Sequence, residues 1–300
     1  MGCSHSGPPL KVGAHLWPGY AIYFWAEEQE LINKDLVKLV EYQNATHVSN
    51  ALLNDELDAA MLTLDEALRL QEAGLDLTVV QVIDLSKGGD AVIARELIDK
   101  DTNFADKVVA VDVSAVGALV LEAFKQHYKI PDDVLTVKQI SAEAAVSAFE
   151  KDVDFVVTHD PFRHHLLDIG GVRVFDTRLK PDLIMDVLVI RSQRVEGNKP
   201  DQIEHLIEGF FKALEYMESD SSHAVSYIQK RLKLTPQQVK RSLDVVELVN
   251  LAHNRGLLSG QHAGLKYVIR STEDILLKVN LINSRVDVET FISSKYLPGL

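Results

Sequence analysis

Through its first two-thirds the chain alternates between short apolar runs and amphipathic stretches. Lys11 to Leu16 reads as a strand, and Ala21 to Leu31 repeats its apolar positions at helical spacing. Leu36 to Tyr42 predicts a second strand, and Asn44 or Thr46 can cap a helix that runs through Leu53. Glu56 to Leu62 is a third strand, followed by a helix capped by Thr63 or Asp65 and closed by Gly74. Leu77 to Ile83 is a fourth. Further strands fall at Lys107–Val113, Leu135–Ile140, Val153–Val157, Val172–Phe175 and Leu183–Ile190, with helices up to Tyr128 and, capped by Ser141, over Ala142–Lys151. Such alternation argues for mostly parallel sheet with helices on its faces. From Pro200 on the pattern is nearly all helical: Gln202–Met217, Ser222–Arg231, Pro236–Asn254 and Gln261–Val279, with Thr235-Pro236-Gln237-Gln238 as a capping box.

Between the apolar runs Leu77–Ile83 and Ala91–Ala94 lies a turn of small and polar residues, Ser86-Lys87-Gly88-Gly89-Asp90. Its glycines permit positive φ and close approach of backbone to a ligand or another segment. Taken alone it is an ordinary loop between buried strands. Other strand ends carry comparable chemistry. Trp17-Pro18-Gly19-Tyr20 joins a strand to a helix and offers flat apolar faces with polar edges, unless both rings serve only as packing. Ser114-Ala115-Val116-Gly117 opens a helix whose free N–H groups suit a ligand oxygen, although a plain capped helix would look the same. Thr158-His159-Asp160-Pro161 follows another strand, and Asp186 interrupts an apolar run where a lone carboxylate needs a partner.

Composition narrows the classes. With 300 residues, 46% hydrophobic and 25% charged, the chain can bury a substantial core in one large or two medium domains. Net charge is −13 and no basic run appears, which argues against nucleic acid. No apolar run approaches the roughly 20 residues of a membrane span. The single cysteine, Cys3, excludes an internal disulfide or a cysteine zinc cluster. His159, His164 and His165 do not form a recognised zinc pattern. The glycine spacing fits neither a P-loop nor a dinucleotide fingerprint.

The order of these segments, from Trp17-Pro18-Gly19-Tyr20 through Leu62-Thr63-Leu64-Asp65-Glu66-Ala67, Asp84 to Ala94, Ser114 to Gly117 and Val153-Asp154 to Thr158-His159-Asp160-Pro161, resembles the substrate-binding proteins of ABC transporters in the nitrate, sulfonate, taurine and thiamine-precursor group. The resemblance runs from about Lys11 to Ile190. It implies an α/β, two-lobed type II periplasmic-binding-protein fold with a helical C-terminal region. Residues 10–92 and 189–300 would form lobe one, 93–188 lobe two and 1–9 a flexible tether, with crossings at Ala91–Arg95 and Asp186–Arg191. It further implies a monomer whose cleft closes by hinge bending on a small molecule, with ABC permease and ATPase subunits as partners, no cofactor and no catalytic role.

On this reading Trp17 and Tyr20 wall the ligand, Thr63 and Asp65 offer polar contacts from lobe one, and Ser86, Gly88, Gly89 and Asp90 line the cleft floor. Ser114, Ala115, Val116, Gly117, Thr158, His159 and Asp160 close from lobe two, and Asp186 lies at the second crossing. Cys3 would be a lipid anchor holding a periplasmic or cell-surface protein at its membrane. None of these segments contains an arginine, which a sulfonate or nitrate would favour. The acids at 65, 84, 90, 160 and 186 point instead to a neutral or cationic ring compound bearing N–H groups. The alternatives are an enzyme of the same fold in thiamine or menaquinone precursor metabolism, or a ligand-sensing receptor lobe. The cysteine-rich iron motif of the yeast-type pyrimidine synthase cannot be present with one cysteine.

Overall fold

The computed structural model describes residues 7–99, 101–112, 115–141, 144–160, 162–260 and 263–299. Two sheets organise it. The first has six strands, in spatial order β11-β4-β10-β3-β1-β2. These are β1 (Leu10–Ala14), β2 (Val37–Glu41), β3 (Ala59–Thr63), β4 (Leu77–Ser86), β10 (Met185–Arg191) and β11 (Val246–Leu248). The second has five, β7-β6-β8-β5-β9: β5 (Asp90–Ala94), β6 (Val108–Asp112), β7 (Thr136–Ile140), β8 (Phe155–His159) and β9 (Val172–Asp176). β1 pairs in parallel with β2 and β3, and β6 with β7 and β8. The antiparallel pairings are β10 with β3 and β4, β11 with β4, and β5 with β8 and β9.

Parallel strands require crossover helices, and the chain supplies them as α1 (Ala21–Glu28), α2 (Ala45–Leu53), α3 (Leu64–Glu72), α4 (Ala115–Tyr128), α5 (Ala145–Lys151) and α6 (Phe162–Asp168). Asn44 caps α2 as its spacing predicts, accepting the His47 N–H at 3.0 Å. The strands β3 and β5 are buried along their whole length, and β4 at every residue but Thr78, so they read as largely continuous apolar runs and not as alternation. An aromatic cluster of Phe104, Phe124, Tyr128, Phe155 and Phe175 fills the space under α4 in the second unit.

The sheets exchange the chain at 87–89 and 177–184. The expected crossings at Ala91–Arg95 and Asp186–Arg191 fall mostly inside strands. Asp90–Ala94 is zipped between β8 and β9 in the second sheet, and Asp186–Ile190 between β3 and β4 in the first. Apolarity alone could not assign these runs to a sheet, because both are equally buried. One hydroxyl ties the crossings together. Thr177 Oγ1 accepts the Gly88 N–H at 2.7 Å and lies 3.0 Å from Ser86 Oγ. Gly88 has φ +106°, and a Cβ there would meet Arg178 Nε at 3.0 Å, so the turn needs glycine on both counts.

The C-terminal third holds α7 (Lys199–Ser219), α8 (Ser221–Leu232), α9 (Pro236–Leu243), α10 (Leu251–Leu258), α11 (Gly264–Lys278) and the short α12 (Val288–Phe291). The helix expected over Pro236–Asn254 is interrupted. Val246–Leu248 instead adds an edge strand to β4, pairing Val246 with Ser86 and Leu248 with Asp84. Among the described residues no helix is long and apolar enough to cross a membrane.

Candidate functional site

Ligand groups in open α/β sheets gather beyond the carboxyl ends of parallel strands. Here the turn after β1 brings His15, Trp17, Gly19 and Tyr20 to that edge, the start of α3, which follows β3 directly, brings Asp65 and Glu66, and the end of β8 brings Thr158, His159 and Asp160. The antiparallel strands contribute from their starts: Asp90 from β5 and Asp186 from β10. Residues of both units are buried together. Trp17, Tyr20, Asp65, Ser86, Asp90, Thr158, Asp160 and Asp186 are all buried.

A bulge places the most buried acids. Asp186 pairs with Asp84, but the next residue, Val187, pairs with Val82, so Ile83 is the extra residue on β4. Bulges re-aim the side chains beside them. Asp186 also pairs with Thr63 on its other side, giving a row Thr63, Asp186, Asp84 across the first sheet. Trp17 Nε1 donates to both oxygens of Asp84, at 3.2 and 3.3 Å, and the Tyr20 hydroxyl donates to Asp186. Gly19 lies against the same carboxyl, where a Cβ would stand 1.9 Å from Asp84 Oδ2.

Burial disfavours charge on these acids. It pushes Asp84 up to about 7. Asp186 is raised well above the usual carboxyl range, first by burial and then by the charge of Asp84. Asp65 is raised to about 7 by burial and by Glu66, and Asp90 is raised by burial. His15, whose ring packs edge-on against Tyr20, is lowered to about 4 by burial and by His159 from the opposite unit. One oxygen each of Asp65, Asp90 and Asp186, together with Thr158 Oγ1, finds no hydrogen-bond partner among the described residues.

Asp160 behaves differently. Burial works against its charge, yet hydrogen bonds from His164 and Arg163 hold its carboxyl below the usual range. Arg163 Nε lies 2.7 Å and its Nη2 3.2 Å from the Asp160 oxygens, and the Asp160 N–H donates to Gly89 O at 3.1 Å. Arg163 is thus a buried arginine beside the site that segment-by-segment reading did not count. Its place one turn beyond Asp160, at i+3, was the available signal. Its charge is already matched by Asp160, which His164 also contacts.

Of the residues expected to line the site, Trp17, Tyr20, Thr63, Asp65, Ser86, Gly88, Gly89, Asp90, Thr158, His159, Asp160 and Asp186 lie at this edge. Val116 and Gly117 lie in the first turn of α4, where Gly117 is packed against the Asp112 carbonyl. α4 packs against α3 of the first unit. Ser114, Cys3 and the side chain of Ala115 lie outside the described residues. Among the described residues no group of three or more histidines, cysteines or acids is arranged to hold a metal.

Two α/β units, joined by a double crossing and facing each other over buried polar strand ends, define the periplasmic-binding-protein fold. Residues 5–230 match the model of the NMT1-like family, and the chain belongs to that family. The ligand-binding component of an ABC-type import system from Staphylococcus aureus, solved with zinc bound, superposes with a TM-score of 0.78 at 16% identity, over 98% of this chain and 99% of that one. The periplasmic aliphatic sulphonate binding protein of Escherichia coli gives 0.78 at 18% identity, over 97% and 99%. The desulfurization enzyme DSZB shares the fold with a TM-score of 0.69 at 15% identity, over 97% and 98%. No curated protein matches the chain.

Proposed function

We propose that the chain is the extracytoplasmic solute-binding component of an ABC importer. It holds a small neutral or cationic ring compound bearing N–H groups between its two units and delivers it unaltered to a permease driven by ATPase subunits. Strands β1–β4 and β10 with the C-terminal third make one lobe, and 90–176 the other. Family membership supports the solute-binding role. The observation that carries the solute class is the chemistry of the strand ends: Asp65, Asp84, Asp90 and Asp186 converge there, buried, while Arg163 is already matched by Asp160. An anion would meet carboxyls, whereas a cation or N–H donor would meet acceptors awaiting donors. Trp17 and Tyr20 supply the aromatic wall.

Hinge closure is tested without knowing the solute. Protein freed of bound small molecules by unfolding and refolding should show a larger radius of gyration in small-angle scattering than protein as purified. Adding back the released material should restore the smaller value. Equal radii in all three samples would remove the two-lobed closing device, and release of a chemically altered compound would favour an enzyme.

A further inference from the structure

Asp84 and Asp186 stand opposite each other on neighbouring antiparallel strands, where facing Cβ atoms lie about 4.5–5.5 Å apart. Both are 2% exposed or less. Their protein donors are the Trp17 indole on Asp84 and the Tyr20 hydroxyl on Asp186, and Asp186 Oδ2 has no donor among the described residues. Cations near the crossings pair with other acids, Arg163 with Asp160, Arg178 with Asp176 and Lys87 with Glu247. Like charges buried so close cannot both persist without a counter-ion. A proton held between them answers the problem in the absence of ligand, and a ligand cation answers it in its presence.

We infer, resting on the cationic reading of the site, that Asp84 and Asp186 share one proton when the cleft is empty and release it to solvent when a cationic solute takes its place. The solute's charge is thereby read by an exchange, one positive charge for another: over the pH range in which the empty pair holds its proton, its net charge of about −1 becomes −2 under the bound cation. The groups around the pair leave this exchange intact. Asp90 adds negative charge from β5 and Glu66 adds it near Tyr20 from α3. His15 against Tyr20 is held neutral by burial. His159, Asp160 and Arg163 stand behind Asp90, and Lys87 is paired with Glu247 on the far side of the crossing.

Since both carboxyls titrate above their unfolded values, the exchange has a fixed sign. Affinity for a permanent cation rises with pH while the proton is still bound, and levels off once the pair has ionised by itself. Benzamidinium is the probe, because its amidinium stays protonated throughout, with benzamide as the neutral control and benzenesulfonate as the anion. Its dissociation constant should fall by up to about tenfold per pH unit through the acid-to-neutral range, the limit for release of one proton. Calorimetry in buffers of different ionisation heat should count about one proton released. Infrared spectra of the parent protein at neutral pH should show a protonated-carboxyl band that benzamidinium weakens by about one carboxyl, and that is weaker in Asp84→Asn and Asp186→Asn, where benzamidinium no longer changes it. An absent band, or a band with pH-independent benzamidinium binding, overturns the exchange. A band in protein that binds benzenesulfonate and ignores benzamidinium leaves a shared proton but sinks both the exchange and the cationic reading.

Discussion

Truncating Trp17 to alanine should damage both stability and binding. From sequence alone a cleft aromatic is expected to spare the fold. The structure places Trp17 in the continuous hydrophobic core, 8% exposed, with its indole N–H on Asp84 and its ring edge 3.3 Å from where a Cβ on Gly89 would stand. Removing it opens a cavity and strips the buried carboxyl of its donor. Chemical denaturation should show a loss of about 3 kcal/mol, near the lower end of the range for buried aromatics. Affinity for the solute recovered from the parent protein should fall by about 1–3 kcal/mol, the range for a ring stacked on an aromatic. Trp17→Phe separates the two roles: it keeps most of the packing and lacks the N–H. A truncated protein that binds normally would make Trp17 packing alone.

Gly19→Ala is the second large effect, and it acts by crowding. The added methyl would fall 1.9 Å from Asp84 Oδ2 and 2.7 Å from its Cγ. Asp84 is short and buried, held by the Trp17 indole and beside Asp186, so its carboxyl can yield only by disturbing those neighbours. Overpacking of this kind costs about 1–3 kcal/mol. The displaced carboxyl should also lose its place in the row with Asp186 and Thr63, and solute affinity should fall at least as far as in a variant lacking the Asp84 charge. Melting and titration of Gly19→Ala beside Asp84→Asn check this. Parent-like behaviour of Gly19→Ala would mean that the Asp84 carboxyl plays no part in the site.

Much of the fold was legible because central strands buried on both faces declare themselves as apolar runs, and because Asn44, one of two candidate caps, and the Thr235 box mark helix starts. What escaped was pairing. Asp90–Ala94 and Asp186–Ile190 look alike as sequence, and only their ladders show that one belongs to the second sheet and the other to the first. β11 escaped because three residues inside a helical pattern carry no period. At the site, Trp17, Tyr20 and the Ser86–Asp90 turn were visible as chemistry at strand ends. The Asp84–Asp186 pair was not, since its residues lie far apart in sequence and meet only through a bulge at Ile83. Arg163 was missed because its partner Asp160 sits on the preceding turn and hides its charge from any reading of isolated segments.

Native mass spectrometry of gently purified protein, with release of the bound small molecule under denaturing conditions, identifies the solute itself. An unaltered compound of small mass that carries a positive charge or several N–H donors is expected, bound by the parent and lost from an Asp84→Asn, Asp186→Asn double variant that still folds. A sulfonate, carboxylate or other anion retained by both proteins would contradict the proposed solute class.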